Sequence, residues 1–233
     1  IAVVGAGPAG MAFAVTAAIR GHSITLFDAA DTIGGQFNIA KTVPGKEEFS
    51  ETIRYFKKQI KLTGVNLKLN THVAASDLDG SDIDEVIIAT GIRPKTLDIE
   101  GIDHPSVVNY LDVFKGATVG NKVAVIGAGG IGFDLCEFIT QQGPSTSLDI
   151  PSFMEEWGVD ITLNHRGGLL PEKTSDQPSK EVYLLQRKSS KPGATLGKTT
   201  GWIHRSTLKN RGVRMVADCQ YHKIDDAGLH LSI

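Results

Sequence analysis

The chain has 233 residues, 41% of them hydrophobic, with 26 glycines, two cysteines and a formal net charge of -2. That leaves room for one large or two ordinary domains with a real core, gives no electrostatic case for nucleic-acid binding, and offers no apolar run near the roughly 20 residues of a membrane-spanning helix. Cys136 and Cys219 lie far apart, so this chain alone supplies neither a disulfide framework nor a four-thiolate metal or iron–sulfur site, and a reducing cytoplasm is the expected setting.

Ile1-Ala-Val-Val4 reads as a short buried strand running into the turn Gly5-Ala-Gly-Pro-Ala-Gly10. In such a turn the first glycine reverses the backbone, the second lets it approach a pyrophosphate, and the third lets the next helix lie close to the strand. Pro8 suits the first helical turn, and the helix N-terminus faces the anion. The helix continues from Met11 to Arg20, and Ser23 to Phe27 is the second strand. Asp28 ends it, close to the interval of roughly 20 residues at which an acid accepts from an adenosine ribose. A plain turn through Ala29-Ala30-Asp31 is the other reading of that Asp.

Gly34-Gly35-Gln36 would let the backbone pass near a bulky ligand. Phe49, Ile53, Phe56 and Ile60 recur at helical spacing between Lys46 and Thr63, as a core-facing stripe. Strands are expected at Val65 to Leu69 and Thr71 to Ala74, then a polar turn from Ser76 to Asp84, and a buried strand from Glu85 to Ala89 that runs into Thr90-Gly91. Pro105 to Gly120, without a long apolar period, is expected to carry the chain across to a second domain.

Asn121 to Ile126 and then Gly127, Gly129 and Gly132 repeat the opening pattern, with Phe133 to Gln142 as the helix. Two copies are far more specific than one glycine motif and point to two dinucleotide sites. The next strand, Glu181 to Leu185, comes about 50 residues after Gly132 where roughly 20 is usual, so something is inserted over about 143–180. Within it Ser152-Phe-Met-Glu155 matches a capping box for a short helix whose apolar side, Phe153, Met154 and Trp157, reads as packing or else as a wall facing substrate, and the rest, through Pro171 to Pro178, reads as loop. Gln186-Arg187-Lys188 then stands where the first domain has its acid. Arg187 and Lys188 favour the 2′-phosphate of NADP over the 2′-hydroxyl of NAD. Gly197-Lys198-Thr199 fails as a phosphate loop because Pro192 occupies the place of its first glycine. Thr199 or Thr200 starts a helix from Trp202 to Asn210 on which His204 is structural. Val213 to Val216 and a strand–turn–strand from Cys219 to Ile233 complete the chain.

The ordered set of the opening glycines, Asp28, Gly34-Gly35, Ala89-Thr90-Gly91 and the second glycine motif resembles the two-dinucleotide-binding flavoproteins, with Asp28 where that family usually has Glu. Gly34 to Lys41, Gly127 to Asp134, Gln186 to Gly193 and Leu196 to Arg205 together resemble the C-terminal part of bacterial NADPH-dependent 2,4-dienoyl-CoA reductase, over essentially the whole chain. The resemblance implies an α/β fold of two Rossmann-like domains of the FAD/NAD(P)-binding type: an FAD-binding domain over 1–113 and an NADP-binding domain over 114–233, each expected to lack a part found in the full-length family. It adds Ala9, Gln36, Val73, Gly130 and Ile131 to the cofactor-binding residues Gly5, Gly7, Gly10, Asp28, Gly35, Ala89, Thr90, Gly91, Gly127, Gly129, Gly132, Arg187 and Lys188. It implies hydride transfer from NADPH to FAD, then electron passage to an N-terminal barrel of the same polypeptide with FMN and a 4Fe-4S cluster, where dienoyl-CoA is reduced in fatty-acid β-oxidation. No catalytic acid or metal ligand is assigned to this chain. The related trimethylamine dehydrogenases offer an alternative, a nucleotide-holding module without NADPH oxidation. Disulfide reductases of the same superfamily need closely spaced cysteines, which Cys136 and Cys219 do not supply.

Overall fold

The structure is a computed structural model in which residues 1–79, 82–171 and 178–233 are described. The turn expected from Ser76 to Asp84 and the loop from Pro171 to Pro178 fall partly outside them. Two compact units are present: Ile1–Thr42 with Lys46–Lys95, and Val43–Gly45 with Thr96–Ile233.

In the first unit β1 (Ala2–Val4), α1 (Pro8–Ile19), β2 (Thr25–Phe27), α2 (Phe37–Ala40), α3 (Phe49–Leu62), β3 (Asn66–Lys68) and β4 (Val86–Ile88) follow in order. The strands form one parallel sheet in the order β3-β2-β1-β4. β1 is central, which is why Ala2 and Val3 are completely buried and its sequence is a continuous apolar run. Met11, Ala14 and Leu26 join Val3 in the core, and α3 adds Ile60 with Ile53 and Phe56 packed beside it, as the helical spacing predicts. Phe49, the fourth member of that stripe, instead stacks on Phe37 of α2 with ring centroids 4.4 Å apart.

The strand expected at Thr71 to Ala74 does not form. Asn70 takes a left-handed conformation (φ 52°), and the next N–H, that of Thr71, donates to the Asp28 carbonyl at 2.9 Å. The turn ends the ladder after β3 and sends the chain beside the end of β2.

The second unit contains α4 (Tyr110–Phe114), β5 (Lys122–Ile126), α5 (Gly130–Thr140), α6 (Ile150–Trp157), β6 (Glu181–Leu185), α7 (Gly201–Asn210), β7 (Arg214–Val216), β8 (Gln220–Asp225) and β9 (Gly228–Ser232). Parallel strands in the order β5-β6-β7 form its main sheet, and β8 and β9 an antiparallel hairpin. Phe133, Cys136, Val182, Leu184 and Leu208 centre the core. α4 lies inside the supposedly irregular crossing segment. It is one turn long, too short to show a period, but Asn109 caps it by accepting from the Leu111 N–H at 2.9 Å, and it buries Val113 and Phe114.

The inserted segment is ordered by carboxylates. α6 begins two residues before Ser152, because Pro151 favours the first turn and Asp149 is the N-cap, accepting from the Ser152 N–H at 2.9 Å. Phe153 stays 41% exposed, so this helix packs less through its apolar side than its sequence suggests. Beyond Gly158 the buried carboxylate of Asp160 accepts four hydrogen bonds, from the N–H and Oγ1 of Thr162 and the N–H and Nδ1 of His165, at 2.6 to 2.9 Å. Those donors, the Thr162 hydroxyl first, hold its pKa well below the usual carboxylate range. Arg211 ties the segment to the unit, donating to the Glu137 carbonyl at 3.1 Å and to Glu156 Oε1 at 3.2 Å.

Candidate nucleotide-binding sites

The first glycine turn is fixed by contacts that exclude side chains. A Cβ on Gly10 would lie 1.8 Å from the Gly5 carbonyl oxygen, and one on Gly5 only 2.3 Å from that of Ala89. α1 and the loop after β4 therefore both close on the turn because two glycines leave room. Gly7 differs. A Cβ there would meet nothing nearer than the Gly35 Cα at 4.0 Å, so it would project into open space. A Cβ on Gly35 would come within 2.9 Å of the Gly7 Cα, which places the Gly34-Gly35 loop against the same turn.

Asp28 lies beside this turn and is already engaged. Its Oδ2 accepts from the Ala6 N–H at 2.6 Å and its Oδ1 from the Ala30 N–H at 2.8 Å. The second bond is the turn foreseen as the plain alternative; the first ties the acid to the glycine loop. A carboxylate has about four lone-pair directions, so acceptor capacity remains for a ribose hydroxyl. Gly5, Gly7, Gly10, Asp28, Gly35, Ala89 and Thr90 thus meet around one turn. Ala9 and Gln36 are exposed beside it, Gly91 has φ 75° just beyond Thr90, and Val73 lies on the segment leaving β3.

α1 starts with no side-chain cap and no acidic residue in its first turn, and so does α5. Free N–H groups and the positive end of the helix dipole suit a pyrophosphate in both places. The open space before Gly7 and the acid at the strand end fit the phosphates and ribose of FAD.

The second turn repeats the first closely. A Cβ on Gly132 would lie 1.8 Å from the Gly127 carbonyl oxygen, while Gly129 and Gly130 face open space, and Ile131 is 43% exposed. Among the described residues Gly127 has no neighbour within 4 Å of a Cβ, unlike Gly5, because β5 lies at the edge of its described sheet and β1 does not.

The ladders also settle which residue replaces the acid. Gly5 N–H donates to the Phe27 carbonyl and Gly127 N–H to that of Leu185, so Asp28 corresponds to Gln186. Gln186 does not reach back to its glycine turn as Asp28 does. Its Nε2 donates forward to the carbonyls of Lys188 and Ser190, at 2.9 Å to Lys188, and wraps the loop around itself. Arg187 and Lys188 are left exposed on that loop. The loop is pinned again where Gly193, at φ 74°, passes the Phe133 ring so closely that a Cβ would lie 2.7 Å from its Cζ. From sequence Gln186 was legible only as standing in the place of the acid, and Gly193 had no role; the Pro192-Gly193 pair is the turn signal that could have found the second.

His204 is structural, its Nδ1 2.8 Å from Oε1 of the buried Glu137. Both cysteines are free and buried, and burial pushes the Cys136 thiol up to about 12. Among the described residues no group of three or more His, Cys, Asp or Glu could hold a metal ion, and no helix is long and apolar enough to cross a membrane.

Comparison with known proteins agrees with this geometry. Bilirubin reductase of Mediterraneibacter gnavus is 33% identical over 67% of the chain, and N,N-dimethylglycine/sarcosine dehydrogenase of Chromohalobacter salexigens 28% over 96%. The chain spans only 24% and 28% of those two proteins. The solved structure of a 2-naphthoyl-CoA reductase in complex with 2-naphthoyl-CoA superimposes on 99% of the chain, with a TM-score of 0.78 and 29% identity, through 30% of its own length. The family of pyridine nucleotide-disulphide oxidoreductases matches residues 1–232. By that match, and by its two Rossmann-type units with paired glycine turns, the chain belongs to the pyridine nucleotide-disulphide oxidoreductase family and is a flavin oxidoreductase module of the two-dinucleotide-binding kind.

Proposed function

We propose that this chain is the flavin-reducing module of an NADPH-dependent 2,4-dienoyl-CoA reductase, working with a barrel of the same polypeptide that carries FMN and a 4Fe-4S cluster. The observation that carries the choice of nucleotides is the exchange, at one register position, of Asp28 for Gln186 with Arg187 and Lys188 exposed beside it. An acid at that place accepts from a 2′-hydroxyl; a guanidinium and an ammonium attract a 2′-phosphate and remove the repulsion an acid would exert. The first unit accordingly takes FAD and the second NADPH.

Bound FAD supplies the redox chemistry, accepting a hydride and giving up electrons singly. This chain's residues bind and orient. The glycine turns and helix N-termini hold the pyrophosphates, Asp28 positions a ribose, and the loop wrapped on Gln186 presents Arg187 and Lys188. Thiol relay chemistry has no counterpart, because both cysteines are buried and the Cys136 thiol stays protonated at working pH. The reading is further supported by likeness to reductases, one of them a CoA-thioester reductase by name.

The test is anaerobic addition of NADPH to the full-length protein. Bleaching of the flavin absorbance followed by reoxidation with a 2,4-dienoyl-CoA supports the proposal. Absence of bleaching at saturating NADPH sinks it in favour of a nucleotide-holding module, the reading favoured by likeness to the dimethylglycine/sarcosine dehydrogenase.

A further inference from the structure

The outer side of α3 carries a surface that the core and the glycine turns do not use. Ile53, Phe56 and Ile60 face the core. Away from them Arg54, Lys58 and Lys61 stand at i, i+4 and i+7, and Tyr55, Lys58 and Leu62 at i, i+3 and i+7, so a cationic and an apolar stripe run side by side and share Lys58. Lys57 is exposed beside them. Tyr55 is 53% exposed and Leu62 65%. α1 extends the same surface. It packs on α3, and both helices cross between neighbouring strands of one parallel sheet, so they run in the same direction and finish at the same end of the unit. There α1 ends on Ile19, 69% exposed, followed by the exposed Arg20.

The charge of this surface is not balanced within the helices. Glu51 is the one carboxylate in their sequences, and Arg54 takes it, its Nε donating to Oε2 at 2.6 Å. Among the described residues Arg20, Lys57, Lys58 and Lys61 form no ion pair. Like charges three or four residues apart weaken a helix, and the helix dipole offsets that only for Lys61, in the last turn. With a net charge of -2 over the whole chain, the cations are gathered here locally. An anionic surface laid against them relieves the repulsion.

Exposed aliphatic side chains among unpaired cations favour a lipid surface over an acidic protein patch. Lysine stems lie along the apolar layer while their ammonium groups reach the phosphates, and a tyrosine, apolar in body and polar at its tip, suits the same boundary. We infer that the C-terminal ends of α1 and α3 dock the protein reversibly on an anionic bilayer, with Ile19, Tyr55 and Leu62 at the headgroup boundary and Arg20, Lys57, Lys58 and Lys61 on lipid phosphates. Both helices lie on the bilayer and neither spans it. The docking goes beyond the proposed reduction of flavin, and none of its residues belongs to a nucleotide site.

Co-sedimentation of the full-length protein with vesicles tests it, comparing phosphatidylcholine alone with equal parts of phosphatidylcholine and phosphatidylglycerol. Binding to the anionic vesicles is expected to exceed binding to the neutral ones roughly 10-fold or more and to fall as salt is raised. The triple variant Lys57→Gln/Lys58→Gln/Lys61→Gln should lower it roughly 10-fold or more, and Ile19→Ser/Leu62→Ser should lower it several-fold. Melting temperature and flavin bleaching by NADPH should match wild type in both, because the substituted side chains are exposed and lie outside the nucleotide sites. Equal binding to the two kinds of vesicle, binding to neither, or a triple variant that binds as well as wild type would overturn the inference. Binding unchanged by Ile19→Ser/Leu62→Ser would overturn the bilayer in favour of an acidic protein surface. Flavin bleaching is read separately, so failure of one result leaves the other standing.

Discussion

The backbone N–H of Ala6, inside the first glycine turn, donates to Oδ2 of Asp28 at 2.6 Å. The acid at the end of β2 is therefore a brace for the glycine turn, beside any role toward the ribose proposed above. Asp28→Ala would remove the acceptor from Ala6, a loss worth about 1–3 kcal/mol when a donor is left unsatisfied. Asp28→Asn keeps an oxygen for Ala6. Thermal melting should accordingly separate the two variants, with Asn close to wild type and Ala clearly lower, while flavin content of the purified protein falls in both.

Glycines in one motif should fail in different ways. At Gly10 a methyl group meets the Gly5 carbonyl oxygen at 1.8 Å, so Gly10→Ala must displace α1 and should lower both stability and flavin content. At Gly7 the same methyl enters open space, so Gly7→Ala should fold with an unchanged melting temperature and yet lose FAD, if the proposed pyrophosphate site is the space it takes. A Gly7→Ala protein that retains full flavin would show that the pyrophosphate does not lie there.

Cofactor preference should follow Arg187 and Lys188. Their combined replacement by alanine is expected to weaken NADPH roughly 10- to 100-fold, the scale of one or two charge-assisted hydrogen bonds, and to leave NADH nearly unchanged. Equal losses for both nucleotides, measured by flavin reduction at varied concentration, would refute the 2′-phosphate role.

The inserted segment should loosen in acid. Asp160 has a folded-state pKa below its unfolded value, so its stabilisation is present above about pH 4 and disappears as pH falls below that toward the folded pKa. Hydrogen exchange measured between pH 2 and 5 should show the Thr162 and His165 amides opening as the pH falls, once intrinsic exchange rates are divided out. Asp160→Asn should show that loosening already at pH 7, by roughly 10-fold or more in exchange rate.

Both glycine turns, the strands that feed them and the stripe on α3 could be read from sequence because each rests on a repeated local pattern. What could not be read depended on single residues that set no repeating pattern, or on contacts between residues far apart in sequence. Asn70 ends a strand through its own backbone angle, Asn109 makes a one-turn helix too short for any period, and Pro151 moves the start of α6 to Asp149. The bond from Ala6 to Asp28 joins residues that only the parallel pairing of β1 and β2 brings together. Gln186 was visible as a replacement for an acid, but its forward-reaching amide depends on the fold of the loop it organises.

The matching 1.8 Å approach of Gly10 to Gly5 and of Gly132 to Gly127 separates what the two turns share from what surrounds them. Around each turn almost every other feature differs: the polar residue at the neighbouring strand end, the direction in which it bonds, the presence of a flanking strand, even the length of the following connection. Two units that share one turn can thus present different surroundings to whatever binds there, because the helix-to-turn contact is independent of the strand-end residue. The helix-to-turn contact is what the two units have in common, and the strand-end residue with its bonding is where they differ.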